Sequence, residues 1–217
     1  STVAKQVKQP VAKLQILEVQ PAVWNGCLGI FEPDQVCIEQ AISGFRTSLT
    51  DGQTIWIYHL SEDGAQIAQN ATASCAKSPI QVNFVPVERE PFAESELDPQ
   101  IVFQSQVSGD LAGNVQTVAL LSDGTLYREQ WQFASPPNKT VIKTIPKAEV
   151  EAFINRLQQH RFPNFNNIRY LTEAAFADYP TTQLQAPGLS VAYIDLEIES
   201  LPADLRSIIA DWQEIVE

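Results

Sequence analysis

Three cysteines, two histidines and one dense stretch, WNGCLGIFEPDQVC at residues 24–37, are where metal, redox or nucleophilic chemistry would have to begin in this sequence. Structural zinc takes four Cys or His ligands at close spacings. Here Cys27 and Cys37 stand ten apart, and His59 and His160 are far from them in sequence. A thioredoxin-like centre needs Cys-x-x-Cys at a helix start, with a lowered thiol pKa, and the stretch lacks that spacing. A disulfide between Cys27 and Cys37 suits the residues better, because Gly26, Gly29 and Pro33 let the chain double back. Closing so short a loop stabilises by roughly 2–3 kcal/mol in the chain-entropy model. Cys75 would then be the leftover thiol, although three cysteines allow three single pairings and the sequence keeps all of them open.

Other chemistries have less to stand on. No Gly-x-Ser-x-Gly elbow sets a nucleophile beside a base, and no glycine loop cradles a phosphate. His59, within WIYHL, reads as a strand residue, and His160 as a cation at the negative end of a helix. Asp178, ahead of Tyr179 and Pro180, is the carboxylate and polar site to inspect for acid–base work, set against the plainer role of a turn former. No catalytic set, metal or cofactor is expected.

The elements that position these residues follow from periodicity. Residues 3–13 suit a short amphipathic helix interrupted at Pro10, and 14–24 alternate as a strand leading into the dense loop. Residues 44–50 and 53–60 form a hairpin through Asp51-Gly52, and a third strand follows the turn at Asp63-Gly64. Residues 76–100, rich in Pro and Glu, read as a linker between a domain at 1–75 and a second at 101–217, although IQVNFVPV within it could serve as an edge strand. The second half opens as another meander, through 101–107, VQTVALL and TLYREQWQF. Pro146 and Glu149 then start a helix whose apolar face is Val150, Phe153, Ile154 and Leu157. A strand at 189–198 precedes a final helix, capped by Ser200, with an apolar stripe from Leu205 to Val216. The expected class is α+β: two small domains, each an antiparallel meander packed with one or two helices.

Composition narrows the function classes. A chain of 217 residues with 44% hydrophobic residues builds a real core, and no apolar run reaches the ~18 residues of a membrane span. The net charge of −12 disfavours nucleic acid and anionic membrane surfaces. Residues 91–217 are the acidic part, with 17 acids against 8 bases. The absence of Met and the start at Ser1 suggest a removed leader or lipid anchor, and three cysteines fit an oxidising compartment.

The order Trp24, Asn25, Gly26, Cys27, Leu28, Gly29, Pro33, Cys37, Gly44, Phe45, Trp56, Tyr58 resembles a module of uncharacterised extracytoplasmic proteins and lipoproteins of cyanobacteria. That module runs Trp-x-[DN]-Gly-Cys-Leu-Gly, a Pro-containing loop, a second Cys, Pro-Gly-[FWY] and Trp-x-Tyr. This chain departs from it in Ser43 where Pro is usual, and in one residue fewer after Trp24. The second half looks like a companion module of unknown function. The resemblance implies a periplasmic or thylakoid-lumen location. By shape, a helix followed by a meander is similar to cystatin and the PepSY domain.

The expected function is a non-enzymatic binding or accessory protein with a protein partner, serving an envelope or thylakoid membrane assembly and tethered through lipid if its leader carried an anchor. The alternatives are a PepSY-like peptidase inhibitor and a hydrolase using carboxylates near Asp178. Trp24, Leu28, Ile30 and Phe31 form the candidate binding loop: a contact surface if exposed, a lid on the core if buried.

Overall fold

A computed structural model describes residues 2–77, 79–85, 97–108, 113–132, 136–172 and 179–217. Helix α1 (Thr2–Gln6) is short and is followed by a 3₁₀ turn at Val11–Lys13, because Pro10, in extended conformation, breaks the helical path. Strands β1 (Gln15–Trp24), β2 (Ile42–Thr50), β3 (Thr54–Ser61) and β4 (Ile67–Ala76) then form an antiparallel sheet in chain order. The β2–β3 turn closes as Asp51 Oδ1 accepts from the backbone N–H groups of Gln53 and Thr54.

The second sheet has eight strands: β5 (Gln81–Phe84), β6 (Ile101–Ser108), β7 (Val115–Leu121), β8 (Thr125–Trp131), β9 (Asn138–Thr144), β10 (Ile168–Leu171), β11 (Thr181–Ala186) and β12 (Leu189–Ile194). Their spatial order is β5-β10-β12-β11-β6-β7-β8-β9, antiparallel except for the β10–β12 pair. Helices α2 (Lys147–Gln159) and α3 (Ala203–Val216) complete the fold. The chain is broadly α+β, mostly strand, in two sheets.

The stretch 76–100, expected as a linker, carries β5. Val82 and Phe84 alternate into the core while Gln81 and Asn83 face out, and the strand takes an edge, where Pro79 just ahead of it costs no ladder bond. Its acids Glu88, Glu90, Glu94 and Glu96 lie outside the described residues. Both long helices start after a proline at the N-cap, Pro146 and Pro202. Ser200 is therefore no cap. It sits in a 3₁₀ segment, Asp195–Ser200, that ends the expected strand 189–198 at Ile194, and its hydroxyl donates to Glu197.

One cluster of buried apolar side chains joins the two halves. It runs from Ile55, Ile57, Ala73 and Cys75 of the four-stranded sheet through Val82, Phe84, Phe103, Leu120 and Tyr170 to Phe153, Leu205 and Trp212 of the helices. Phe103 lies at its centre, edge-on to Phe153, Phe162 and Trp212 at centroid distances of 5.1, 5.5 and 4.9 Å. The opposite side of the large sheet carries a small buried cluster of Ile101, Ala119 and Tyr127 and a polar row. The paired residues Gln183, Gln106, Thr117, Glu129 and Lys139 form a row across five strands.

Candidate functional site

Cys27 and Cys37 are disulfide-bonded, with Cα atoms 5.5 Å apart, and Cys75 is a buried free thiol. Inside the loop Asn25 Oδ1 accepts from the N–H groups of Cys27 and Gly29, which curls the chain at its start. Gly29 has φ +69°, and a Cβ there would sit 2.5 Å from the Trp24 ring. Glycine is thus required where the loop folds back over the indole. Trp24 in turn stacks on His59 at 4.1 Å with 6° between planes, and its Nε1–H donates to the Leu60 carbonyl.

His59 is buried within this stack. Its Nδ1–H donates to the Leu28 carbonyl at 2.6 Å, leaving Nε2 buried without a partner. Burial lowers its pKa to about 4, the Leu28 bond opposing and Arg46 assisting. The ring is neutral and structural here.

The rest of the loop grips the other half of the molecule. The Phe31 N–H donates to Asn164 Oδ1 at 2.7 Å, and Asn164 Nδ2 donates back to the Phe31 carbonyl and to Thr72 Oγ1. Glu32 meets Arg161 Nε at 2.6 Å. Arg161, in the left-handed conformation just after α2, starts a chain of polar side-chain contacts that continues through Asp204, His160, Asp211 and Arg156. His160 stands at the end of α2, the place its sequence position suggests.

Beside the loop, the inward face of the small sheet is unusually polar. Arg46 is buried, donates to Gln20 Oε1 and to the carbonyls of Asn166 and Asn167, and lies over the Phe84 ring at 4.2 Å. Desolvation lowers its pKa to about 10, with Glu18 and Tyr170 pulling it back up. Glu18 and Gln20 reach across to β5, where Glu18 Oε2 accepts from the Phe84 N–H and Gln20 Nε2 donates to the Val85 carbonyl. These bonds satisfy backbone groups that an edge strand would otherwise leave open.

Of the four expected loop residues, Leu28 is buried and Trp24, Ile30 and Phe31 are half-buried. The outward apolar surface lies elsewhere. Val36 is 95% exposed, Ile38 74%, Ile16 71% and Val23 70%, with Val11, Leu17 and Val19 also exposed. All of them fall within residues 11–38, most along β1, the outer strand of the small sheet. The signal for this was present in the alternation of β1, whose polar residues turn inward.

Asp178 lies outside the described residues, and Tyr179 is exposed. Pro180 lines a hollow of about 310 Å³ together with Ser108, Asn114, Gln116, Gln130 and Trp131 at one end of the large sheet. None of the hollow's lining residues is ionisable, so its described walls offer neutral amides, a hydroxyl and one indole. Among the described residues no three His, Cys, Asp or Glu side chains are placed to hold a metal ion, and no helix is long and apolar enough to cross a membrane.

Residues 1–69 match the model of a domain of unknown function, DUF8738. No curated protein and no solved structure matches the chain.

Proposed function

We propose that this is a non-enzymatic binding protein working outside the cytoplasm, with the exposed apolar strip of β1 and the Val36–Ile38 segment as its contact surface. The observation that carries the reading is the strip itself. Ile16, Val23, Val36 and Ile38 are each at least 70% exposed, with Val19 and Leu17 partly so, and large apolar side chains gathered at the surface of one segment mark a contact site. The disulfide supports an oxidising compartment, the periplasm or thylakoid lumen that the resemblance implies. On this reading the stapled loop has two roles. Its inner residues lock the small sheet onto the large one, and Cys37 holds Val36 and Ile38 beside the end of β1, where the Gly26 N–H donates to the Ile38 carbonyl.

The peptidase-inhibitor alternative rests on the likeness to cystatin and PepSY, which wants a helix laid along the sheet, and α1 supplies five residues. The strip favours the binding reading. A photocrosslinking amino acid at Val36, in cells of the source organism, is expected to give discrete adducts that the same probe at exposed Arg169 does not. Equal labelling from both positions would remove the strip as a special surface.

A further inference from the structure

Resting on that reading of the strip, we propose that its occupant is a second copy of this chain, packed against it antiparallel across a two-fold axis. The argument begins with charge. Just before β1 the chain carries exposed Lys5, Lys8 and Lys13, and Lys13 helps to lower the pKa of Asp51 beside it. Past the other end of β1, around Val36 and Ile38, stand exposed Asp34 and Glu39. Between the two ends the outward side chains are uncharged: the one charged residue of β1, Glu18, is turned to the Phe84 N–H. The strip is therefore basic at one end, apolar in the middle and acidic at the other, over a strand of ~33 Å. A surface of this kind complements itself when rotated by a two-fold, which lays one copy's lysines on the partner's acids.

Edge chemistry agrees with this. β1 is an outer strand of its sheet, and Pro21, which has no N–H, interrupts it. Association thus proceeds through side-chain packing of Ile16, Val19, Val23, Val36 and Ile38, with any edge-to-edge ladder broken at Pro21. The neutral middle also matters for a chain of net charge −12, because the approach confines contact to the part of the surface where like charges are absent.

Sedimentation velocity of the full chain over a concentration series tests the proposal. The expected result is a reversible species of twice the chain mass. Val23→Asp, at an exposed site that leaves the core intact, should weaken it at least tenfold. Lys13→Glu should weaken it too, and adding Glu39→Lys should bring it back to within about threefold of the original, a rescue that a purely structural effect would not produce. A monomer at every concentration up to about 1 mM overturns the inference, as does a dimer indifferent to Val23→Asp. The two readings fail separately. A monomer whose Val36 probe still captures another protein leaves the strip as a contact surface and removes only the second copy. A dimer with no adduct at Val36 removes both.

Discussion

Strands β1 and β11 both alternate, and they alternate in opposite senses. β11 buries Thr182, Leu184 and Ala186 and turns Gln183 and Gln185 toward solvent; β1 buries Gln20, half-buries Glu18 and exposes Ile16, Val19 and Val23. The large sheet therefore holds its helices by apolar packing, as sheets with one wet face do. The small sheet's outer strand is joined to the rest by hydrogen bonds, through Gln20, Glu18 and Arg46, and its apolar residues Ile16 and Val23 stay 71% and 70% exposed. The contrast separates what stabilises this protein from what it displays.

Four measurements press on that contrast. Phe103→Ala, at the apolar centre of the large sheet's inner face, should cost about 3–5 kcal/mol in denaturant unfolding. A cost under about 1 kcal/mol would mean that the helices are held by something other than this packing.

The second concerns pH. The His59 pKa falls from its unfolded 6.5 to about 4 in the fold, so its neutral ring favours the native state fully above pH 6.5. As pH drops from 6.5 toward 4 the unfolded chain gains a proton that the folded chain refuses, and stability declines by about 3 kcal/mol. His59→Gln should flatten the stability slope in that window relative to the wild type; an unchanged slope would assign the acid sensitivity to carboxylates.

Third, Asn164→Ala removes three side-chain bonds that tie the stapled loop and Thr72 to the large-sheet half, and should cost about 2 kcal/mol. Amide exchange should rise at Phe31 while the Cys27–Cys37 bond stays intact. If the exchange stays slow, the charge pair of Glu32 with Arg161 is what holds the loop. The smallest effect belongs to the polar face of the large sheet. Gln106→Ala should change stability by less than about 0.5 kcal/mol, and a larger loss would show that this face is structural.

How much of this was legible beforehand differs between the same two regions. The hairpins at Asp51-Gly52 and Ser122-Asp123-Gly124, the helix from Pro146 and the stripe from Leu205 to Val216 could be read, because turn chemistry and periodicity are local properties. β5 and β10 were harder: each has four residues, and each gains its meaning from a partner more than eighty residues away. The loop's disulfide is the one its residues favour among three pairings the sequence leaves open, but the inward turn of Trp24 has no such signal, since it depends on a stack with His59. Arg46 gave no signal, because a buried arginine is legible only once the carbonyls of Asn166 and Asn167 are placed beside it. Val36 and Ile38 carry no such signal, because loop hydrophobics show no period that separates exposed from buried.

Cys75 also sets an order of events. Its thiol is buried in the core that joins the sheets, and desolvation pushes its pKa up to about 12. Thiolates carry out disulfide exchange, so Cys75 can compete for Cys27 or Cys37 only before the small sheet docks. The choice among three pairings is thus a deadline in folding: a chain that closes its core first preserves whichever bond it has already made. Once Cys75 is buried, Cys27 and Cys37 are the thiols left to pair, so docking ahead of oxidation favours the native bond.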